Sequence, residues 1–541
     1  MSAKEIKPVM IGKHFDVVVV GAGFGGVYAI HALREKGISV CGFEAGDDVG
    51  GTWYWNRYPG ARCDIESREY SYSFSEEIQK NWKWSHRYAD QPEILAYINY
   101  VAETLDLKRD IKFQTRIIDA IFDEKNKIWA ISSDKGDKIT AQHVIMATGC
   151  LSIPKATEFS GTDKFKGKLF HTAYWPKDKV DFKGKKVGII GTGSSGVQAI
   201  PLIAKEAKEL YVFQRTPNFV VPAHNRILSD KDREEYQQGY EELRKLEWNS
   251  FAGIAGMAPE TRLAMDVSKE EREKEFEARW AFGGLVFYGS FPDLLIDPTA
   301  NEEAAIFARA KIKKRVDNPE IAELLTPKGY PFGTKRICSD TNYFEAFNRD
   351  NVHLIDVKKS PIKGIIESGV ETETDKYDLD YLILATGFDA LTGAVCGINV
   401  RGVNNASLKD KWSNGPVTHL GIMTAGFPNM YMTTGPGSPS VLFNMVLQNE
   451  YHIDWIIKAI KFIEKNNFKS ISTTVEQEKK WTQLVDDIGG QTLFTKSNSW
   501  YMGSNVPGKA RKILLYLGGW PAYDKICNEV IESNYKDYEF S

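Results

Sequence analysis

The chain has 541 residues, of which 69 are Lys or Arg and 72 are Asp or Glu, so its net charge is −3 at pH 7. This length is enough for several domains with buried cores, and the near balance of charge excludes the broad cationic surface that attracts nucleic acid or anionic lipid. No apolar run approaches the ~18 residues of a membrane span, and residues 1–16 hold no apolar signal segment. We therefore expect a cytoplasmic protein without nucleic-acid or membrane partners. We also expect a monomer, although no feature of the sequence decides the oligomeric state.

The six cysteines are scattered, and none stands in a Cys-x-x-Cys pair. This spacing predicts neither a disulfide framework nor a tetrahedral metal site, and it argues against a disulfide reductase. We expect no metal, and we interpret most of the thiols as buried and inert. They are Cys41, Cys63, Cys150, Cys338, Cys396 and Cys527.

A strand, a glycine-rich turn and a helix are predicted near the start of the chain. The apolar run 15–20 enters the turn 21–26, which has the form Gly-x-Gly-x-x-Gly, and residues 27–36 are predicted to be helical. A second predicted strand, 39–43, ends at Glu44. This is the order of elements in a βαβ unit that binds a dinucleotide.

Each glycine of that turn has a physical purpose. Gly21 permits the tight bend, Gly23 lets backbone N–H groups approach a pyrophosphate, and Gly26 allows close contact between helix and sheet. The carboxylate of Glu44 suits the ribose hydroxyls of FAD or NAD. The alternative is a glycine-rich turn that binds nothing.

The same pattern recurs later in the chain with one change. A predicted strand, 186–190, leads into a second Gly-x-Gly-x-x-Gly turn, 191–196, but the following strand, 210–214, ends without an acid. Arg215 and Thr216 stand there instead, and a guanidinium with a hydroxyl suits the 2′-phosphate of NADPH, which a carboxylate would repel. The alternative for Arg215 is a solvated charge at the end of a strand. The residues assigned to this site are Gly191, Gly193, Ser194, Ser195, Gly196, Arg215 and Thr216.

The remaining segments divide around these two units. Stretches rich in Glu, Lys and Arg with helical spacing predict helices at 230–247, 268–280 and 301–325, and strand-like segments resume at 353–356 and 381–384. The sequence thus predicts an α/β fold of two Rossmann-like dinucleotide-binding domains, for FAD and NADPH, with an inserted helical domain. The predicted boundaries are 1–150 and 385–541 for the FAD-binding domain, 151–227 and 333–384 for the NADPH-binding domain, and 228–332 for the helical insertion.

Two further motifs flank the dinucleotide turns. Residues 165–176 match the pattern F-x-G-x-x-x-H-x-x-x-W-P, and residues 50–64 match G-G-x-W-x-x-x-x-Y-P-G-x-x-x-D. With these motifs the chain resembles the class B flavoprotein Baeyer-Villiger monooxygenases, a family that includes phenylacetone, cyclohexanone and steroid monooxygenases. The resemblance extends over essentially the whole chain.

The resemblance implies a reaction. NADPH reduces FAD, the reduced flavin captures dioxygen as an anionic peroxide, and the peroxide attacks a ketone to give an ester or a lactone, with sulfoxidation as a side activity. It implies that Arg336 stabilises the negative charges, because a guanidinium keeps its proton. Asp64 would pair with this arginine, and its alternative is an Asx-turn. For His171, a structural or gating role is favoured over proton transfer.

The resemblance also assigns binding residues. Trp500 would reach the nicotinamide cofactor, although a tryptophan is more often a packing residue, and Lys335 is a second candidate for the 2′-phosphate. Further cofactor-binding residues are Thr52, Trp53, Trp55, Asp64, Gln198 and Arg336, and the aromatic ones could also be core. The predicted substrate pocket comprises Cys150, Leu151, Ser440, Val441, Leu442 and Met445.

Two alternatives remain open from the sequence. The first is a flavin monooxygenase that oxidises nitrogen or sulfur, whose fingerprint lacks the Trp175-Pro176 ending. The second is a non-catalytic NADPH-binding or redox-sensing module. Arg336 and two complete cofactor sites favour the ketone reaction, so the partners we expect are a small-molecule ketone and dioxygen.

Overall fold

The computed structural model describes residues 7–156, 158–257 and 261–541. Residues 1–16 were predicted to hold no apolar signal segment, and residues 1–6 of this stretch lie outside the described ranges. In chain order, the strands are β1 Ile11–Val20, β2 Val40–Phe43, β3 Ile111–Lys112, β4 Ile117–Asp123, β5 Ile128–Ser133, β6 Lys138–Met146, β7 Lys168–His171, β8 Lys186–Ile190, β9 Glu209–Gln214, β10 Val220–Pro222, β11 Cys338–Asp340, β12 Val352–Asp356, β13 Ile362–Ile366, β14 Gly369–Thr372, β15 Lys376–Asp378, β16 Tyr381–Leu384, β17 Asn399–Arg401, β18 Met430–Met432, β19 Ile471–Thr473 and β20 Tyr538–Phe540.

The α-helices alternate with these strands and are joined in places by short 3₁₀ turns. They are α1 Phe24–Glu35, α2 Thr52–Trp55, α3 Glu76–Asn81, α4 Gln91–Thr104, α5 Ser194–Glu206, α6 Asp230–Gln238, α7 Tyr240–Asn249, α8 Lys269–Phe282, α9 Pro298–Lys313, α10 Pro319–Leu325, α11 Tyr343–Ala346, α12 Gly393–Cys396, α13 Leu408–Lys411, α14 Met445–Lys465, α15 Val475–Gly490 and α16 Trp520–Glu532. No helix within the described ranges is long and apolar enough to cross a bilayer.

The larger sheet has the strand order β17-β4-β5-β6-β1-β2-β3, with β18 also paired to β6. Its centre is parallel, because β1 pairs with β2 on one side and β6 on the other in the same direction. Val17 to Val20 of β1 are buried, as expected for a strand covered on both faces. Helix α1 connects β1 to β2 and packs against α14.

The second sheet is parallel throughout, with the order β12-β9-β8-β16-β7. Helix α5 connects β8 to β9, as α1 connects β1 to β2. Both predicted βαβ units are therefore confirmed. The helices begin earlier than predicted, at Phe24 and Ser194, because the last residues of each glycine turn already belong to the first helical turn.

The stretch between β10 and β11 is helical, but two predicted helices were too long. The predicted helix 230–247 is interrupted at Gly239, which ends α6 and precedes α7. The predicted helix 301–325 is divided into α9 and α10, since Asn318 caps the second helix and Pro319 opens it. The domain boundaries remain a prediction.

The buried side chains show how these parts are joined. One core cluster unites α1 and α4 with α8, α9, α14 and α16, so the helical stretch packs on the first dinucleotide unit. A separate cluster lies under the second sheet and includes Tyr58 and Ala61 from the 50–64 motif. The motif thus lies where the two units meet.

Candidate active site

A cavity of about 880 Å³ lies between the two glycine turns. Its wall contains most of the predicted site residues, namely Gly21, Gly23, Glu44, Thr52, Trp53, Trp55, Asp64, Gly191, Gly193, Ser194, Ser195, Gln198, Arg215, Thr216, Lys335, Arg336, Trp500, Cys150, Leu151, Val441 and Met445. Five predicted residues do not line it, and these are Gly26, Gly196, His171, Ser440 and Leu442.

The two turns have the same local structure, because the first glycine of each packs against the backbone just after a neighbouring strand, β6 in one case and β16 in the other. Gly21 has φ +105°, and a Cβ there would lie 2.4 Å from the carbonyl oxygen of Ala147. Gly191 has φ +111°, and a Cβ there would lie 2.4 Å from that of Ala385. Only glycine tolerates this combination of positive φ and close backbone contact.

The last glycine of each turn packs inside it, which explains why neither lines the cavity. A Cβ on Gly26 would lie 1.9 Å from the Gly21 carbonyl oxygen, and one on Gly196 would lie 2.2 Å from that of Gly191. By contrast, a Cβ on Gly193 would have nothing within 4 Å. Open space at the N-terminus of α5 is where an anionic pyrophosphate would bind.

We expect Gly193→Ala to leave the fold intact but weaken NADPH binding. The added methyl group meets no protein atom and the backbone there has φ −77°, so Tm should not change. It would occupy the space that a pyrophosphate needs, raising the KM for NADPH about tenfold, equivalent to about 1.4 kcal/mol. Gly490→Ala, also with nothing within 4 Å, is the matched control. An unchanged KM in Gly193→Ala would place the cofactor elsewhere.

Glu44 joins the end of β2 to the first glycine turn. Its Oε2 accepts the N–H of Ala22 at 2.8 Å, and its Oε1 accepts that of Gly46 at 2.7 Å. Burial raises the pKa of Glu44, and these two backbone N–H groups oppose the rise. Each carboxylate oxygen keeps a second lone pair, so the residue fits the predicted contact with ribose hydroxyls.

Arg215 and Lys335 form a cationic corner of the cavity. Burial lowers the pKa of Lys335, and the positive charge of Arg215 lowers it further. The ammonium lies 4.7 Å from the centre of the Tyr330 ring. Two cations side by side fit an anionic group, as the 2′-phosphate requires.

Arg336 lies at the junction of the two units. Its Nε and Nη2 donate to Asp64 Oδ2 at 3.4 and 3.3 Å, and its Nη1 donates to the carbonyl oxygen of Val441 at 3.1 Å. Burial lowers the pKa of Arg336, but Tyr501, Asp64 and Tyr288 more than reverse this, so the pKa lies above its ordinary value. The guanidinium is a permanent positive charge held in one orientation.

Arg336 engages one carboxylate oxygen of Asp64. The other, Oδ1, is buried and has no well-aligned hydrogen-bond partner among the described residues. Burial raises the pKa of Asp64, and Arg336 and the backbone N–H of Ser339 oppose the rise. Buried polar atoms nearly always have a partner, so this oxygen fits an N–H group of a bound nicotinamide or flavin, or a water molecule.

His171, Ser440 and Leu442 lie outside the cavity wall. The Nδ1 of His171 accepts the N–H of Ala173 at 3.1 Å, its Nε2 lies 3.5 Å from the Thr386 hydroxyl, and burial lowers its pKa. This neutral imidazole ties β7 to the turn after β16, which agrees better with a structural role than with proton transfer. Ser440 is fully buried, and its hydroxyl donates to the Thr434 carbonyl oxygen at 3.2 Å.

The thiol that lines the predicted substrate pocket is inert. Burial raises the pKa of Cys150 to about 11, although a hydrogen bond with Ser440 opposes the rise. A thiol with so high a pKa is protonated at neutral pH and is a poor nucleophile. Ser440 therefore supports the pocket from behind Cys150 rather than lining it.

Several residues near the site were not predicted. Tyr501 and Tyr288 lie beside Arg336, and Asn218 donates to the Arg336 carbonyl oxygen at 3.0 Å. The position of Tyr501 next to Trp500 is the only sequence signal for any of them. Gln198 also has a larger part than expected, since it accepts the Tyr58 hydroxyl at 2.9 Å and donates to the carbonyl oxygen of Arg62 at 2.9 Å.

Comparison with known proteins identifies the family. A family model described as pyridine nucleotide-disulphide oxidoreductase matches residues 18–273. A Baeyer-Villiger monooxygenase of Pseudooceanicola batsensis is 41% identical over 529 residues, covering 97% of this chain and 96% of that protein. The chain belongs to the Baeyer-Villiger monooxygenase family. A phenazine N-monooxygenase of Lysobacter antibioticus is 40% identical, covering 97% of each chain.

A solved structure supports the same assignment to the Baeyer-Villiger monooxygenases. The structure of an oxidized steroid monooxygenase bound to NADP superimposes with a TM-score of 0.94 at 47% identity, covering 98% of this chain and 99% of that one. The resemblance inferred from the two motifs is therefore confirmed. The six cysteines are free, so the family model's name reflects shared dinucleotide domains rather than disulfide chemistry.

Proposed function

We propose that this chain is an FAD- and NADPH-dependent monooxygenase that converts ketones into esters or lactones with dioxygen. The observation that carries the proposal is Arg336, held by Asp64 and the Val441 carbonyl oxygen where the two dinucleotide sites meet. A permanent cation at this junction is what an oxygen insertion beside a carbonyl group requires, because negative charge develops on the carbonyl oxygen.

The two cofactors would be held by different parts of the chain. The first glycine turn, Glu44 and the aromatic residues of α2 fit FAD, and the second turn with Arg215 and Lys335 fits NADPH. When bound, FAD reduced by NADPH supplies the activated oxygen. Gln198 fastens the Tyr58–Arg62 segment to α5, which keeps the two sites at a fixed separation in this conformation.

The residues of the chain then act on the substrate. Arg336 donates hydrogen bonds to the carbonyl oxygen as its negative charge grows, and Asp64 keeps the guanidinium oriented. The rings of Trp53 and Trp55 line the cavity and exclude water, which would otherwise divert the activated oxygen to hydrogen peroxide. Val441 and Met445 line the same cavity and would contact the apolar part of the ketone.

Oxidation of nitrogen is the second candidate, and the phenazine N-monooxygenase among the relatives is the observation that favours it. Transfer of oxygen to a heteroatom uses an electrophilic oxygen donor. Arg336, as a fixed cation without a transferable proton, favours nucleophilic attack on a carbonyl carbon instead. The site therefore supports the ketone reaction better.

Product analysis tests the proposal. The purified protein is loaded with FAD and incubated with NADPH and air, with phenylacetone, cyclohexanone, phenazine or a sulfide in parallel. We expect a ketone to give an ester or lactone that is heavier by one oxygen atom. Products from phenazine or the sulfide alone would contradict the ketone assignment, and NADPH oxidation that gives only hydrogen peroxide with every compound would contradict both.

A further inference from the structure

A second cavity, of about 210 Å³, also reaches Asp64. Its wall comes from the segment that begins at Asp64, from α7, from residues 254–256 and from four further side chains, Tyr88, Phe282, Leu285 and Val286. Leu246 and Phe282 belong to this wall and are 48% and 42% exposed. The cavity therefore connects the surface of the helical stretch with the carboxylate that holds Arg336, and Asp64 is the one residue of its wall that is also assigned to the cofactor sites.

Glu69 lies in this wall and is only 2% exposed. Its Oε1 accepts the N–H of Ala255 at 3.0 Å, whereas its Oε2 is buried without a hydrogen-bond partner in the part of the chain that the structure describes. Asp64 Oδ1 is also buried without a well-aligned partner among the described residues. Two such buried carboxylate oxygens beside one cavity point to water inside it, and the volume has room for several molecules at about 30 Å³ each.

The charges around Glu69 favour its protonated form. Burial raises the pKa of Glu69 well above its usual range, Glu247 and Glu66 raise it further, and Arg68 opposes the rise. The two acids are themselves engaged, because Glu247 pairs with Arg244 at 2.7 Å and Glu66 pairs with Arg87 at 2.7 Å. The carboxyl group of Glu69 therefore keeps its proton to a higher pH than an ordinary glutamate does.

The reaction needs a proton from solvent in every cycle. In balance, ketone, dioxygen, NADPH and one proton give ester, NADP⁺ and one water molecule. If no ketone reacts, NADPH, dioxygen and one proton give NADP⁺ and hydrogen peroxide, so the proton is consumed either way. The large cavity is lined by the cofactor sites, whereas the second cavity offers a separate path to Asp64.

We propose that Glu69 and the second cavity relay this proton from solvent to Asp64. Glu69 gives its proton to cavity water, the water protonates Asp64 Oδ1, and Asp64 passes the proton to the oxygen atom that leaves as water or peroxide. Glu69 is then reprotonated from solvent at the Leu246–Phe282 opening. This inference rests on the proposed function for its oxygen chemistry, but the relay serves NADPH oxidation with or without a ketone.

Glu69→Gln in the FAD-loaded protein tests the relay. The amide keeps the size of the side chain and the acceptor for Ala255 but carries no transferable proton. We expect oxidation of NADPH under air to slow about 10²-fold, which is the low end of what a lost general acid or base costs, and to slow more strongly at high pH. Reduction of FAD by NADPH without oxygen should stay within about twofold of wild type, because that step takes no proton from solvent. The infrared band of protonated carboxyl groups should lose the part that belongs to Glu69, beside the part that remains from Glu247 and Glu450, whose pKa values burial raises to about 7.

Two further variants sharpen the test. Glu242→Gln removes an exposed carboxylate from the same helix as Leu246 and should change nothing. Leu246→Trp narrows the opening while leaving Glu69 intact and should slow aerobic NADPH oxidation in the same direction. The relay would be overturned by normal aerobic rates in both Glu69→Gln and Leu246→Trp. It would also be overturned if FAD reduction slowed as much as aerobic NADPH oxidation in Glu69→Gln, or if the infrared band of that variant did not change. Failure of the proposed function would show differently, as wild type that oxidises NADPH without making an ester.

Discussion

Arg336→Ala is expected to abolish ester formation while leaving FAD bound and reducible by NADPH. The guanidinium is the permanent cation at the junction of the cofactor sites, and removing such a donor costs about 10²–10³-fold in kcat. FAD content should persist because the first glycine turn and Glu44 lie on other segments. The measurement is the rate of ester formation beside the anaerobic rate of FAD reduction.

The fold should survive this substitution for an electrostatic reason. Arg336 opposes the burial that raises the pKa of Asp64, so without the arginine Asp64 takes up a proton instead of remaining a buried, unpaired charge. Arg336→Lys keeps the charge but not the two-pronged geometry and should recover only part of the activity. Arg109→Ala removes an arginine that is 61% exposed and serves as control. Undiminished ester formation in Arg336→Ala would remove the arginine from the chemistry.

Arg215→Ala and Lys335→Ala are expected to weaken the preference for NADPH over NADH. Both cations line the same corner of the cavity, and a hydrogen bond to a charged group contributes about 1.5–3 kcal/mol, or roughly tenfold to a hundredfold in KM. KM for NADPH should rise by that factor in each variant. KM for NADH should change little, because NADH carries no 2′-phosphate for the cations to bind.

The double variant gives a sharper result than either single one. Arg215 lowers the pKa of Lys335, so removing Arg215 raises that pKa and favours the charged form of the remaining lysine. The effects of the two substitutions on NADPH binding should therefore not add. The changes in the free energy of NADPH binding in the two single variants should therefore sum to a value that differs from the change in the double variant, and the difference is the coupling energy. Equal losses for NADPH and NADH would mean that the corner does not bind the 2′-phosphate.

Sequence reasoning succeeded where one local rule decides the structure. The two glycine turns were located because positive φ and a close backbone contact admit no other residue at Gly21 and Gly191. Both βαβ units followed from strand and helix periodicity around them. Helix ends were less accurate, since Gly239 and the Asn318-Pro319 pair interrupt stretches whose polar composition reads as continuous helix.

The site itself depends on contacts between distant segments, which no local pattern encodes. Arg336 and Asp64 are 272 positions apart in the sequence, and their pairing could be predicted only from the family resemblance. His171 stands in a diagnostic motif yet lies outside the cavity, because that motif closes the second sheet rather than the active site. Glu69 carried no sequence signal, since its burial and unpaired oxygen arise from segments around residues 247 and 255.

The most direct test of the ketone reaction uses isotopically labelled dioxygen. The FAD-loaded protein and its Arg336→Ala variant are supplied with NADPH, labelled dioxygen and a ketone, and the products are analysed by mass. We predict an ester or lactone that carries one labelled atom from the wild-type protein and none from the variant. Unreacted ketone with labelled hydrogen peroxide from both proteins, or a labelled ester from both, would contradict the account.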